Sequence, residues 1–339
     1  MQLRKSVPAF LACALAVQTS SANAQTVPLP PLPGTGELAP SSHDSFIFVA
    51  AGDCRPAQAD APEPKIAHLV FRMVDHIHPP FMIFCGDTIY GHNNTSEKVI
   101  RREYKDFLRM AATAHVPVFN APGNHEMDSY DENGLERPYP SQIHWYEKYM
   151  GQRYGRFDYG NSAFIAVDTE ELAPYDEGAG GTVAPDDRNT CPGYISQRQF
   201  DWLKTELDNC RGKTNVFLFM HHPIRGHGRY PVDELYTPSS DQLVKLISNY
   251  NNIAYVITAH EHLYYNSQDP RNIKNSIHES PGPPVYLVSG GAGAPLTVPQ
   301  VGDKTGPGAF HNYLVFRVKG PRVNMEVVNL GREGPTEGP

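Results

Sequence analysis

The sequence predicts an α/β protein built on a helix-covered, largely parallel sheet, and three observations point there. Strand-like and helix-like runs alternate from residue 45 onward, a rhythm that reads as βαβ units. The polar residues capable of chemistry fall just past the ends of the strand-like runs, where α/β sheets gather their ligand sites. The composition, 40% hydrophobic and 19% charged over 339 residues, is that of a globular chain able to bury a large core and excludes a disordered one.

Ahead of the fold, residues 1–24 read as a secretory signal. Arg4 and Lys5 precede an apolar run from Val7 to Val17, which ends before an A-x-A site at Ala22-Asn23-Ala24. That run is about half the roughly 20 residues a membrane anchor requires. Cleavage there takes the 29 basic residues down to 27 against 37 acidic ones, a net charge of about −10. So acidic a surface excludes a general nucleic-acid or anionic-membrane binder. Residues 25–44 are Pro-rich without apolar periodicity and read as an extended linker or arm.

The domain is expected over 45–330. Ser45 to Ala51 is a buried-strand run ending in Gly52-Asp53. Lys65 to His78 carries apolar residues at helical spacing, and Pro80 to Cys85 is a second strand ending in Gly86-Asp87. Glu97 to Ala114 is a second helix, followed by a strand from Val116 to Asn120 ending in Gly123-Asn124-His125-Glu126. Further strands end in Asp168, in His221-His222-Pro223 and in Ala259-His260-Glu261-His262; helices are expected from Ser196, as N-cap, to Leu207 and from Asp241 to Ser248. Strand-like runs at Pro284 to Val288, Asn312 to Val318 and Arg322 to Val328 close the domain, the last two as an antiparallel hairpin on a second sheet. The Gly-rich stretch 289–294 lacks a P-loop lysine and reads as a tight loop near the site. Residues 331–339 read as a disordered tail. Of the cysteines left after cleavage, Cys191 and Cys210 flank a loop-plus-helix segment and are the expected pair, while Cys54 and Cys85 read as buried thiols.

Each polar strand end alone has an ordinary reading as a cap or turn. Five of them, Asp53, Asp87 with Tyr90, Asn124-His125, His221-His222 and His260-x-His262, fall on one rim, and carboxylate, imidazole and amide oxygen together are ligands for a hard or borderline metal ion. Here the chain resembles the calcineurin-like metallophosphoesterases, whose five ordered motifs match Gly52-Asp53, Gly86-Asp87-x-x-Tyr90, Gly123-Asn124-His125-Glu126, His221 and His260-x-His262. Two departures draw it toward the purple acid phosphatases. Asp53 is followed by Cys54-Arg55 where most of the superfamily has Asp-x-His, and Tyr90 stands three residues after Asp87.

The resemblance implies a four-layer αββα sandwich of two mixed β-sheets flanked by helices. It implies two metal ions, one held by Asp53, Tyr90 and His262, the other by Asn124, His221 and His260, with Asp87 bridging them. It also implies hydrolysis of phosphomonoesters by a metal-held hydroxide. A tyrosine hydroxyl has an ordinary pKa near 10, so binding as phenolate calls for Fe(III) at the Tyr90 site; the other ion is expected to be divalent Fe, Zn or Mn. Such a pair brings +5 against −4 from Asp53, Asp87, Tyr90 and a hydroxide, leaving a centre of about +1 that draws phosphate without a basic surface. His125 and His227 are the catalytic candidates; Arg55, His125 and His222 are the substrate-binding ones, with Glu126 or Asp168 as orienting partners of His125. The expected protein is secreted or periplasmic, without a stable membrane anchor or nucleic-acid partner, and takes a small phosphorylated substrate. A phosphodiesterase or phospholipase on the same metals stays open, because the loops at 127–142 and 172–192 carry no decodable signature. A binding domain that has lost catalysis is disfavoured by the intact His125.

Overall fold

In the computed structural model, residues 26–91, 95–127, 142–171, 193–226, 235, 237–269, 283–296 and 308–332 are described. The signal segment, His227, Cys191 and the tail beyond residue 332 lie outside the described residues.

Two mixed sheets stack face to face between layers of helix. The first runs in the order β11 (Arg322–Asn329), β10 (Asn312–Lys319), β1 (Ser45–Ala51), β2 (Met82–Phe84) and β3 (Val118–Asn120). The second runs β4 (Gly155–Tyr159), β5 (Ser162–Ala166), β6 (Asn215–Phe219), β7 (Ile253–Thr258), β9 (Val285–Ser289) and β8 (Tyr264–Asn266). Within the first sheet β1, β2 and β3 are parallel; within the second, β5, β6, β7 and β9 are.

The period of two along each strand divides the core. On β1, Phe48 and Ala50 face the other sheet, while Val49 and Ala51 face helices. The inter-sheet layer is aromatic: the Phe48 ring stacks on Phe316 at 4.5 Å and Phe81 at 5.6 Å, and meets Phe164 and Phe217 edge-on, each at 5.0 Å. Helices α1 (Lys65–Ile77) and α2 (Glu97–Ala112) cover the outer face of the first sheet. In α1, Ile66, Val70, Phe71 and Val74 form the buried stripe that helical spacing requires. The short α3 (Asn124–Met127) and α4 (Ile143–Tyr149) follow β3. On the second sheet's outer face lie α5 (Gln197–Asn209) and α6 (Thr237–Ile247). Ser196 caps α5 as expected, its hydroxyl accepting from the Gln199 amide at 3.2 Å. Among the described residues no helix is long and apolar enough to cross a membrane.

Three expectations are revised or refined. The C-terminal hairpin does not build the second sheet: β10 pairs antiparallel with β1 and so completes the first. Its residues bury on both faces, Tyr313 and Val315 toward the helices, Leu314 and Phe316 toward the other sheet. Residues 26–44 are not a free tether over their whole length. Leu29 donates to the Arg156 carbonyl at 2.9 Å and Leu32 to the Val118 carbonyl at 2.7 Å, so the arm covers the open edges β4 and β3 and buries both leucines. Cys210, at the C-terminal cap of α5, is a free buried thiol, as are Cys54 and Cys85 just past β1 and β2.

Candidate metal centre

The C-terminal ends of β1, β2 and β3 meet those of β6 and β7 at one edge of the sandwich. The turns there are zipped together by backbone bonds: the Asp53 amide donates to Gly86 O at 3.1 Å, and the Cys54 and Arg55 amides both donate to Asp87 O at 3.0 Å. Asp53, Asp87, His260 and His262 all have positive φ, between 47° and 68°. A left-handed backbone at a residue with a Cβ is costly, and such strain gathers where a site overrides local preference. The Gly-rich stretch after β9 closes the same side, with the Ala292 amide on Gly52 O and the Ala294 amide on Asp53 O. A Cβ on Gly290 would lie 2.7 Å from the His262 amide and closer still to Asp53 Oδ2, so only glycine fits behind that carboxylate.

Seven of the sequence-derived residues converge. Donor atoms of Asp53, Asp87 and His221 all lie within 4.8 Å of one another. Asn124 Oδ1, His221 Nε2 and His260 Nδ1 are mutually 2.9, 3.1 and 3.1 Å apart. His262 Nε2 is 3.8 Å from Asp53 Oδ1, and His125 Nε2 is 3.8 Å from Asp87 Oδ2. Backbone carbonyls fix the tautomers of three rings: Nδ1 of His221 donates to Cys85 O at 2.7 Å, that of His262 to Pro295 O at 2.6 Å, and that of His125 to Tyr90 O. Each of the three therefore presents Nε2 inward. The Tyr90 ring is half-buried, 5.8 Å from the His125 ring. Arg55 sets Nε 3.5 Å from Asp87 Oδ2. His222 stands behind the cluster, its ring 4.0 Å from that of His260.

The electrostatics are those of a place made for cations. Both Asp53 carboxylate oxygens are buried without a hydrogen-bond partner of ordinary geometry. Burial first, then the neighbouring Asp87 carboxylate, pushes the Asp53 carboxyl well above its usual range. Burial opposes ionisation of Asp87 too, but His125, His221, His262 and Arg55 outweigh it and hold Asp87 well below. Burial takes His221 down to about 4, leaving a neutral imidazole with a lone pair to give. Metal–nitrogen and metal–oxygen bonds of about 2.1 Å at right angles put donor atoms about 3 Å apart, the spacing of the Asn124–His221–His260 trio.

Residues that sequence reading treated only as possible orienting groups, or left out, complete the frame. Glu126 accepts the Asp87 amide at 3.1 Å and the Gly123 amide at 2.7 Å, as well as the Thr88 amide and hydroxyl, tying the second and third motifs together. Asp168 is buried and paired with Arg153 at 2.9 Å. Gln199 of α5 holds Asp168 by both its backbone amide and its carbonyl. No short motif marks Gln199, whose partners are the Asp168 backbone and the Glu171 carboxylate.

Solved structures share this fold. A purple acid phosphatase from yellow lupin (Lupinus luteus) seeds superposes with a TM-score of 0.61 at 16% identity, over 86% of this chain and 52% of that one, so the chain spans about half the lupin protein's length. A dimetal phosphatase from Danio rerio gives 0.58 at 14% identity, over 84% and 96%. A comparison with curated protein sequences finds no match. The sequence pattern of the calcineurin-like phosphoesterases matches residues 48–264, a stretch that takes in Asp53, Asp87, Tyr90, Asn124, His221, His260 and His262, and the chain belongs to that family.

Proposed function

We propose that the protein is a secreted or periplasmic binuclear-metal phosphatase that hydrolyses phosphomonoesters in the manner of a purple acid phosphatase. The observation that carries this is the convergence of the Asn124, His221 and His260 donor atoms beside a buried Asp53 carboxylate that lacks a hydrogen-bond partner of ordinary geometry. Asp53, Tyr90 and His262 would hold Fe(III), Asn124, His221 and His260 a divalent Fe, Zn or Mn, and Asp87 both. Bound there, the ions would supply Lewis acidity at the phosphoryl oxygens and a nucleophile drawn from water.

The chain's own groups do the rest. With Nδ1–H committed to the Tyr90 carbonyl, His125 would act as an imidazolium, delivering the Nε2 proton to the leaving oxygen and returning to the neutral Nδ1–H tautomer. Arg55, beside Asp87, orients a phosphate oxygen through its guanidinium. His227 is the remaining group proposed to act at the leaving group and residues 45–330 are the proposed catalytic domain, while the expected substrate contact of His222 gives way to a place behind His260, with Nδ1 on Glu170.

Iron-replete expression tests the metal assignment: a violet Tyr90-to-iron band is expected, absent in Tyr90→Phe, and a colourless enzyme carrying zinc or manganese in both sites sinks it. Turnover of a monoester and a diester of one aryl alcohol tests the substrate class. Faster turnover of the diester would replace the monoesterase reading with a diesterase one.

A further inference from the structure

Three of the four histidines around the centre are oriented by a backbone carbonyl on Nδ1, but His260 is not built that way. Its Nδ1 faces Asn124 Oδ1 and His221 Nε2, both at 3.1 Å. What covers its ring is His222, with centroids 4.0 Å apart and planes 35° apart. His222 is itself clamped. On one side is the backbone of Gly193, where a Cβ would fall 2.7 to 2.9 Å from the ring's Cγ and Nδ1 and from the His222 Cβ. At its edge is Glu170, whose Oε1 accepts from His222 Nδ1 at 2.7 Å.

Glu170 in turn is heavily anchored. The Thr169 hydroxyl donates to the same Oε1 at 2.7 Å and accepts the His222 backbone amide at 3.2 Å, closing a ring of bonds. The Glu170 amide donates to Asp168 Oδ1 at 2.8 Å, and Asp168 is bracketed by Gln199 and Arg153. The His222 and Glu170 side chains are only 1% and 6% exposed, so water competes little for either. A buried carboxylate is expensive to place, and this one spends its bonds on the rim residue that packs against His260.

We propose that Glu170 is a positioning residue: through His222, held against the Gly193 backbone, it fixes the plane of the His260 imidazole and so the affinity of the Asn124–His221–His260 site. This rests on the reading of that trio as metal ligands. Groups that orient a ligating histidine are worth about 10- to 100-fold in metal affinity. Because both bonds fall on Oε1, a glutamine amide oxygen can accept both in the same geometry, without the charge.

The test is chelator competition for Zn(II) on the metal-free full-length protein, reading the dissociation constants of both ions. Glu170→Ala is expected to weaken one ion about 10- to 100-fold and leave the other, while Glu170→Gln stays within about threefold of wild type. Wild-type affinity for both ions in Glu170→Ala overturns the proposal. So does a loss in Glu170→Gln as large as in Glu170→Ala, since charge rather than orientation would then be at work. Should Glu170→Ala fail to fold, Glu170→Asp, which withdraws the acceptor by one methylene, is held to the same criterion. His260→Ala serves as the control: if it keeps both ions, the ligand assignment itself fails, whereas its losing one ion while Glu170→Ala keeps both overturns the positioning role alone.

Discussion

Asp53→Asn is expected to stabilise the metal-free protein and to abolish its stabilisation by metal. The Asp53 and Asp87 oxygens lie within 4.8 Å of each other; at an effective dielectric of about 20, two like charges at that distance repel by roughly 3.5 kcal/mol. Asp53 has no hydrogen bond of ordinary geometry, the Arg55 charge and the His260 backbone offset the repulsion only in part, and burial adds to the cost. Asparagine removes the charge at nearly constant volume. A gain of about 2–3 kcal/mol follows, or a rise in Tm of roughly 3–5 °C for a domain of this size. Wild type should behave oppositely with metal, gaining about 2.7 to 4.1 kcal/mol at free Zn(II) of 100 to 1,000 times Kd. Thermal melts of both proteins at pH 8, with chelator and with Zn(II), read the crossing directly. A metal-free Asp53→Asn less stable than wild type would refute the reasoning.

Other expectations follow from the same geometry. Gly290→Ala drives a methyl into Asp53 Oδ2 and the His262 amide; metal binding and turnover should fall at least tenfold while circular dichroism keeps the native signature. Burial, then the Asp106 and Glu103 carboxylates, takes the Glu63 carboxyl up to about 8 from its ordinary 4.5. The native state then holds a proton that the unfolded chain releases, so this group costs stability as pH rises from about 4.5 to 8, by up to about 5 kcal/mol. Urea denaturation of Glu63→Gln should show a gain over wild type at pH 8 and little difference at pH 4.5. Leu32→Ala, in the arm that covers the sheet edges, should cost about 2–4 kcal/mol by the same assay; a near-neutral result would show the arm to be a passive tether.

The fold and the meeting of the polar strand ends were legible for one reason: in parallel strands such groups sit just past the strand's C-terminus, and Asp53, Asp87, Asn124, His221 and His260 follow their strands by two to four residues. The hairpin's place was not. Alternation in β10 and β11 says that they pair with each other, and nothing in it says that β10 also reaches back across more than 250 residues to β1. The arm was read as a linker because prolines mask two leucines that bury by edge contacts rather than by periodicity. The orienting groups were least legible. Gln199 and Gly193 act through backbone and contact, and Glu170 meets His222 only because β5 and β6 are neighbours, so no spacing in the sequence announces them.

Elemental analysis of the wild-type protein, purified from cells supplied with iron, zinc and manganese, counts the ions the centre holds. Two metal ions per chain are expected, one of them iron, and at most one in Asp87→Ala. Wild-type protein that retains no metal, or an Asp87→Ala variant that keeps both ions, would contradict that expectation.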